Sequence, residues 1–257
     1  MEQRLIAADL QKAAPLFDGW QETLIWSALE GCMGRIWTVK EEPQAALCEN
    51  ADFLFLAGDP ALDETRDLLE AWRCEKKQYA ILTPRTSDAA ALIESVFGKQ
   101  AVRSERYAFQ KGGEAFDPQQ LKRMAKTLPE GVTLQAIDRE LYHQSLQNDW
   151  SRDFVSQFRN ADDFLSRGLG FAAVENGKMA GGASSYTCYS KGIEVQVETR
   201  ADWRRKGIAS ACCASLILEC LRRGLYPSWD AANAESAALA QKLGYVPAGM
   251  YPVWEVE

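Results

Sequence analysis

Residues 192–223 read GIEVQVETRADWRRKGIASACCASLILECLRR and hold two elements of secondary structure joined by a basic loop. Residues 193–198 alternate apolar and polar side chains, which predicts a β-strand with its apolar face on the core. Residues 205–223 are predicted to form a long helix, whose stretch IASACCASLILECL is apolar on nearly every side; it should be buried, and Gly224 can cap it. A strand, a short loop and a long buried helix in this order are typical of an α/β fold.

The loop Arg204-Arg205-Lys206-Gly207-Ile208-Ala209 places three basic side chains at the start of this helix, where the helix dipole disfavours positive charge. An anion bound by the free amides at that end removes the conflict. Gly207 lets the ligand approach the backbone, and Ala209 keeps the next turn narrow, so a pyrophosphate fits. A solvated basic turn is the alternative, and it predicts no preference for small residues at positions 207 and 209.

Strands and helices alternate on both sides of this unit. Asn176-Gly177 predicts a two-residue hairpin turn between two strands, and residues 245–257 are predicted to close the second sheet. Residues 63–76 and 87–97 are predicted helices, the latter with Ser87 as its N-cap.

A stretch rich in glycine and proline, KGGEAFDPQ from Lys111, marks a domain junction. We therefore predict an α/β domain over residues 1–115 and a second α/β domain with a mixed sheet over 116–257. The predicted helices and strands of the first half follow an order similar to those of the second. The first half is therefore either a degenerate copy of the same fold or an unrelated α/β domain. Its stretch LAGDPALDETRDLLEAW is acidic where a copy would carry the basic loop, so we expect no anion site there.

Composition narrows the classes of function. The chain has 257 residues and a formal charge of −7, which disfavours nucleic-acid binding but is compatible with a cationic substrate. Seven cysteines without a CxxC pair argue against a disulfide framework and against a metal site. Neither a signal peptide nor a membrane span is apparent, so we expect a cytoplasmic protein that does not bind membranes. A Ser/His/Asp triad would have to use His143, the single histidine, which lies far from the basic loop.

The segment RRKGIA resembles the Arg/Gln-x-x-Gly-x-Gly/Ala loop of the GCN5-related N-acetyltransferase (GNAT) superfamily. The segments IEVQVETRADWRRKGIASACCASLILECL, YPSWDAAN and SAALAQKLGY are similar to its zwittermicin-A-resistance-like members, which carry a WDA-x-N stretch before the last helix. The resemblance covers about half the chain, residues 131–257. It implies a GNAT fold there, with acetyl-CoA as the bound cofactor.

The same resemblance implies where the cofactor contacts the chain. The backbone amides from Arg205 to Ser210 would hold the pyrophosphate, and the pantetheine arm would lie between diverging strands 193–199 and 226–231. Asn233 would contact that arm, or serve only as a helix N-cap. The implied cofactor residues are Val197, Thr199, Arg204, Arg205, Lys206, Gly207, Ile208, Ala209, Ser210 and Asn233.

The implied reaction is acetyl transfer to a primary amine of a small molecule. A protonated amine must lose a proton before it attacks the thioester, and a carboxylate can accept that proton. Glu194 and Glu198 are the candidates, since the family often supplies a glutamate from this strand; a solvated strand face is the alternative. Ala240 stands where many members have a tyrosine acid, which leaves Tyr245, Tyr186, Tyr251 or water. A protein acetyltransferase and a non-catalytic CoA-binding protein remain alternatives, and the oligomeric state is left open.

Overall fold

The structure, a computed structural model, describes residues 4–76, 78–112 and 115–257. It contains two compact units, Met1–Arg106 with Met250–Glu257, and Tyr107–Gly249. Gly113 and Glu114, which belong to the predicted domain junction, lie outside the described residues. Within the described ranges, no helix combines the length and the apolar character that crossing a bilayer requires.

The chain up to the junction begins with short elements and continues into a regular α/β alternation. Its elements are β1 (Ile6–Ala7), α1 (Leu10–Ala13), α2 (Thr23–Leu29), β2 (Arg35–Thr38), β3 (Ala45–Asn50), β4 (Phe53–Gly58), α3 (Asp63–Lys76), β5 (Ala80–Thr83), α4 (Ser87–Phe97) and β6 (Val102–Phe109).

The remainder of the chain carries a second series of helices and strands. Its elements are α5 (Pro118–Ala125), β7 (Val132–Ala136), α6 (Arg139–Ser145), α7 (Asp149–Arg152), α8 (Ala161–Arg167), β8 (Gly170–Glu175), β9 (Lys178–Tyr189), β10 (Gly192–Thr199), α9 (Ile208–Arg223), β11 (Tyr226–Ser228), α10 (Ala234–Leu243) and β12 (Pro247–Val256).

Two mixed sheets organise these elements, which confirms the predicted fold class. One sheet has seven strands in the order β1-β2-β3-β4-β5-β12-β6, and the other has five in the order β11-β10-β9-β8-β7. In each, four successive antiparallel strands lead into a helix, α3 or α9, that returns the chain to a parallel fifth strand. Both parallel pairs contain three residue pairs. This shared topology agrees with the expectation of a degenerate repeat.

The prediction that residues 245–257 close the second sheet is wrong. Strand β12 pairs antiparallel with β5 of the seven-stranded sheet, with Trp254 opposite Leu82. The cause is apolar burial: Trp254 and Val256 belong to the same hydrophobic core as Trp72. The indole N–H of Trp254 also donates to a carboxylate oxygen of Glu94 at 3.0 Å.

Local predictions are mostly confirmed. Strands β8 and β9 form a hairpin in which Asn176 and Gly177 have φ of 50° and 76°, as a type I′ turn requires. Helix α4 begins at Ser87 as predicted, but the N-cap is Thr86, whose hydroxyl oxygen accepts the amide of Ala89. Ser87 is the first helical residue, so its assignment as the cap is wrong.

A buried carboxylate joins the two ends of α8. The Asp163 side chain, 4% exposed, accepts hydrogen bonds from the guanidinium groups of Arg167 and Arg159. These hydrogen bonds, those from Arg167 first, hold the pKa of Asp163 well below its ordinary value. Stability from this group is therefore present above about pH 4 and is lost as the pH falls below that value.

We expect Asp163→Asn to lower the free energy of unfolding by about 3 kcal/mol at pH 7, because both arginines lose a charged acceptor. Urea unfolding at pH 7 and at pH 3 measures the effect, and the variant should differ less from the wild type at pH 3. Asp162→Asn is the control, since that neighbouring carboxylate is 80% exposed and should change stability little. Equal losses in the two variants would contradict the assigned role.

Candidate functional site

Strands β10 and β11 separate after a short parallel ladder. The ladder joins Gly192, Ile193 and Glu194 to residues 226–228 and goes no further. After β11 the chain pairs instead with Tyr107. Ala231 and Tyr107 exchange two backbone hydrogen bonds of 2.9 and 3.0 Å. From residue 195 to 199, β10 thus has no strand on its outer edge within the described chain. This is the divergence that the family resemblance implied.

One face of the diverging part of β10 is directed towards α9. Thr199 lies opposite Gly181 on β9, and cross-strand partners share a face of the sheet. A Cβ added to Gly181 would come within 2.6 Å of Cγ2 of Ile208, the first residue of α9. Thr199 and, by alternation, Val197 therefore lie on the helix side. Their backbone atoms border the open edge of the strand.

The polar residues of β10 occupy the opposite face. Gln196 lies opposite Ser184, whose hydroxyl donates to the carbonyl of Phe154 at 2.8 Å. Glu194 and Glu198 are two residues from Gln196 on either side, so they share this face. This polar face meets the segment that follows α7. The expected contrast between a buried apolar face and an open polar face is not observed, because Ile193, Glu194 and Val195 are all buried and the next three residues are all half-buried.

Glu194 stands at the position where β10 and β11 separate. It lies opposite Ser228 on one side and Thr187 on the other. The next pair, Val195 with Ser185, skips Tyr186, which is the extra residue of a β-bulge. Glu194 is only 8% exposed. A carboxylate that is almost fully buried at the end of a ladder is well placed to contact a ligand that enters the gap.

Glu198 has a different environment. Its side chain is 37% exposed and pairs with the guanidinium of Arg204 at 3.3 Å. A carboxylate oxygen also accepts the amide N–H of Thr199 at 2.9 Å. Four residues along a strand span about 13 Å, so the two candidate glutamates do not act at one point. Glu198 is instead tied to the first residue of the basic loop.

The basic loop enters α9 through two left-handed residues. Arg205 has φ of 64° and Gly207 has φ of 85°. Glycine adopts this conformation without cost, whereas arginine does not. Residues alternating between right- and left-handed conformations direct successive N–H groups into one concavity, which binds anions.

Among the residues that the structure describes, the amides of this concavity have no acceptor. The first hydrogen bond of the helix runs from the amide of Ala211 to the carbonyl of Gly207. Among the described residues, nothing accepts the amide hydrogens of the six residues before it. They are Arg205, Lys206, Gly207, Ile208, Ala209 and Ser210. The family resemblance implies that these same amides hold a pyrophosphate.

The basic side chains of the loop are differently engaged. Arg204 pairs with Glu198, and the ammonium of Lys206 lies 4.4 Å from the ring centroid of Trp203. Arg205 is exposed and pairs with no acidic group in the described part of the chain. Its charge is therefore available to a ligand at the amide concavity.

In the other unit, the turn that leads into α3 is occupied by acidic side chains of the same unit. The carboxylate of Asp59 accepts the amide of Ala61 at 2.9 Å, and its carbonyl accepts the hydroxyl of Thr65 at 2.6 Å. Buried Glu64 accepts the amides of Gln44 and Ala45. Helix α3 thus starts among acidic groups, which disfavours phosphate. The expectation that this unit binds no CoA stays a prediction.

Asn233 is the N-cap of α10. Its side-chain oxygen accepts the amide of Ser236 at 2.9 Å, so the capping role considered from the sequence is present. Asn233 is exposed and lies two residues after Ala231, where the chain has left β10. An exposed side chain there can cap the helix and contact a ligand together; the second role stays a prediction.

The position expected for a tyrosine acid is filled by buried Ala240. Tyr245 is enclosed by the rings of Phe109, Phe116 and Trp229, with centroid separations of 5.7, 5.0 and 5.4 Å. Its hydroxyl donates to the carbonyl of Pro227 at 2.6 Å. Burial raises the pKa of Tyr245 well above its ordinary value, so its proton is held in a structural hydrogen bond.

We therefore expect Tyr245→Phe to lower the free energy of unfolding by about 1 kcal/mol, since the carbonyl of Pro227 loses its donor. We expect kcat to change less than twofold, because Tyr245 is not the acid. Thermal unfolding and steady-state kinetics on the same preparation test both statements. A hundredfold loss of kcat with little loss of stability would instead make Tyr245 the acid.

Comparison with known proteins agrees with this geometry. The family model described as GNAT acetyltransferase matches residues 14–254. A protein of Bacillus subtilis (strain 168) named "Uncharacterized N-acetyltransferase YdfB" is 24% identical over 207 residues, which cover 78% of this chain and 76% of that protein.

Solved structures extend the similarity to the whole fold. A GCN5-related N-acetyltransferase-like protein from Streptococcus suis 89/1591 is 43% identical, with a TM-score of 0.88 over 96% of this chain and 98% of that one. A tandem GNAT protein from the clavulanic acid biosynthesis pathway covers 99% of this chain and 98% of its own, with a TM-score of 0.54 and 13% identity. The latter likeness shows the fold alone. With a family model that spans nearly all of its residues, this chain belongs to the GNAT acetyltransferase family.

Proposed function

We propose that the protein transfers the acetyl group of acetyl-CoA to a primary amine of a small molecule. The observation that carries this proposal is the meeting of an open strand edge, residues 195–199, with six amides that lack acceptors, residues 205–210. The amides and Arg205 suit the pyrophosphate of acetyl-CoA. The open edge suits its extended pantetheine arm, whose amide groups can bond to the backbone of Val197 and Thr199.

Glu194 is the proposed base. It takes the proton of the ammonium group, directly or through a water, and the free amine then attacks the thioester carbonyl. The acetyl–sulfur bond breaks as the acetyl–nitrogen bond forms. The nitrogen then gives up a second proton, which passes through water to the CoA thiolate, so that CoA leaves as the thiol. Glu198 is proposed to hold Arg204 rather than to move protons, because its carboxylate is already paired there.

A small-molecule acceptor is preferred over a protein because Glu194 is buried on its strand rather than displayed on a surface groove. Membership of the zwittermicin-A-resistance-like subfamily stays a prediction of the same kind. A cytoplasmic location is likewise proposed from the sequence.

The test is release of CoA thiol from acetyl-CoA in the presence of a panel of amines and of lysine peptides. Acetylated product, identified by mass spectrometry, should appear with small amines and not with peptides. Turnover confined to lysine peptides would show that the acceptor is a protein or peptide and not a small amine. Tight binding of acetyl-CoA without turnover on any amine would instead indicate a non-catalytic CoA-binding protein, the reading that Ala240 favours.

A further inference from the structure

The last turn of α5 and its C-cap residue carry cations that the proposed reaction does not use. Lys122, Arg123 and Lys126 are all exposed, in a chain whose formal charge is −7. Among the described residues, no acidic side chain pairs with any of the three. The C-terminal end of a helix favours each of these cations, but three within five positions also repel one another, and a bound anion would relieve that repulsion.

This turn lies against the basic loop at the start of α9. A Cβ placed on Gly207 would be 3.6 Å from the carbonyl oxygen of Thr127, the second residue after α5. Helices α5 and α9 pack against each other. The sequence gives no signal for this contact, since about eighty positions separate the two residues along the chain.

Arg123 and Lys126 lie within reach of the same place. The hydroxyl of Thr127 donates to the carbonyl of Arg123 at 2.9 Å, so Arg123 and Thr127 are one turn apart on the same side of the helix. Their separation along the axis is about 6 Å, which a guanidinium side chain can span. Lys126 immediately precedes Thr127.

The charges around the amide concavity exceed what a pyrophosphate needs. The six amides that lack acceptors among the described residues, together with Arg205, would be sufficient for one diphosphate group. The cations of α5 add positive charge beside that position. Coenzyme A carries a further phosphate, on the 3′ oxygen of the ribose that adjoins its pyrophosphate. A second anionic group next to the first is therefore what this arrangement of charge would recognise.

We propose that Arg123 and Lys126 bind the 3′-phosphate of coenzyme A and make the protein select acetyl-CoA over its 3′-dephospho form. This inference rests on the proposed function, because it assumes that the pyrophosphate occupies the amides of residues 205–210. It assigns recognition of the 3′-phosphate to α5 and its C-cap residue, and not to the basic loop or β10.

The experiment compares two ligands on three proteins by calorimetry at fixed ionic strength. The ligands are acetyl-CoA and 3′-dephospho-acetyl-CoA, and the proteins are wild type, Arg123→Ala/Lys126→Ala and Arg123→Lys/Lys126→Arg. We expect wild type to bind acetyl-CoA about tenfold more tightly than the dephospho form. The alanine variant should lose that preference and bind the dephospho form as wild type does. The charge-conserving variant should keep most of the preference.

Lys242→Ala controls for the loss of positive charge. Lys242 is exposed, and its carbonyl accepts the side-chain amide of Gln120, seven residues or about 10 Å along α5 from Thr127. Its removal should leave the preference intact, since exposed charges at that distance are largely screened.

The outcomes separate this inference from the function on which it rests. Equal affinity of wild type for both ligands would overturn the 3′-phosphate assignment and leave acetyl-CoA binding in place. An equal loss of affinity for both ligands in the alanine variant would also overturn it, since the two cations would then act through general electrostatic attraction and not on the 3′-phosphate. If wild type binds neither ligand while remaining folded, the proposed function itself fails.

Discussion

Replacing Glu194 by glutamine is expected to lower kcat about 10²- to 10⁴-fold and to leave the affinity for acetyl-CoA unchanged. Glutamine has the same shape and can keep hydrogen bonds at this buried position, but it cannot accept the proton of an ammonium group. Steady-state kinetics with a competent amine, together with calorimetric titration of acetyl-CoA, measure the two quantities separately.

Glu198→Gln is the matched control on the same face of β10. Because Glu198 pairs with Arg204, its replacement should raise the KM for acetyl-CoA a few-fold and change kcat little. A larger loss of kcat in Glu198→Gln would transfer the role of base to Glu198.

Gly207→Glu is expected to weaken acetyl-CoA binding by more than a hundredfold. A glutamate there brings a negative charge next to the amides of residues 205–210, where the pyrophosphate is proposed to lie. The residue also has φ of 85°, so any side chain adds strain of about 1–2 kcal/mol. Calorimetry measures the affinity, and circular dichroism shows whether the fold persists.

Strain and charge are separated by a second glycine on the same helix. Gly224, at the far end of α9, has φ of 69°, and a Cβ there would meet no atom within 4 Å. Gly224→Glu therefore introduces similar strain and the same charge away from the proposed pyrophosphate. It should lower stability as Gly207→Glu does and leave the affinity intact. If both variants lose binding equally, the loss reflects strain in α9 and not a phosphate position.

The parts of the fold that depend on neighbouring residues could be predicted. Helix α3 occupies residues 63–76 as expected, because its acidic start and amphipathic pattern are local properties. The hairpin at Asn176-Gly177 follows from the turn alone. Strand β3 was not predicted, since AALCEN is buried on both faces and shows no alternation.

Features that depend on distant residues could not be predicted in the same way. The sequence places the basic loop before a helix, and the structure adds that two of its residues are left-handed. No local pattern distinguishes Glu194 from Glu198; the difference arises because the ladder with β11 stops at Glu194. The contact between Thr127 and Gly207 likewise depends on how α5 packs on α9. Local alternation gives a strand, but its pairing partner is a matter of tertiary packing.

The place of β12 between β5 and β6 has a consequence for how the chain is made. A ribosome delivers residues in order, about 5–20 each second, and domains tend to fold as they emerge. The seven-stranded sheet cannot be completed in this way, because its sixth strand, β12, contains Trp254 and Val256, which are synthesised last. Until then β5 and β6 expose unpaired edges, which favour association with other chains. The nascent protein should therefore depend on chaperones late in synthesis, and truncation near residue 249 should release an aggregating fragment rather than a folded one.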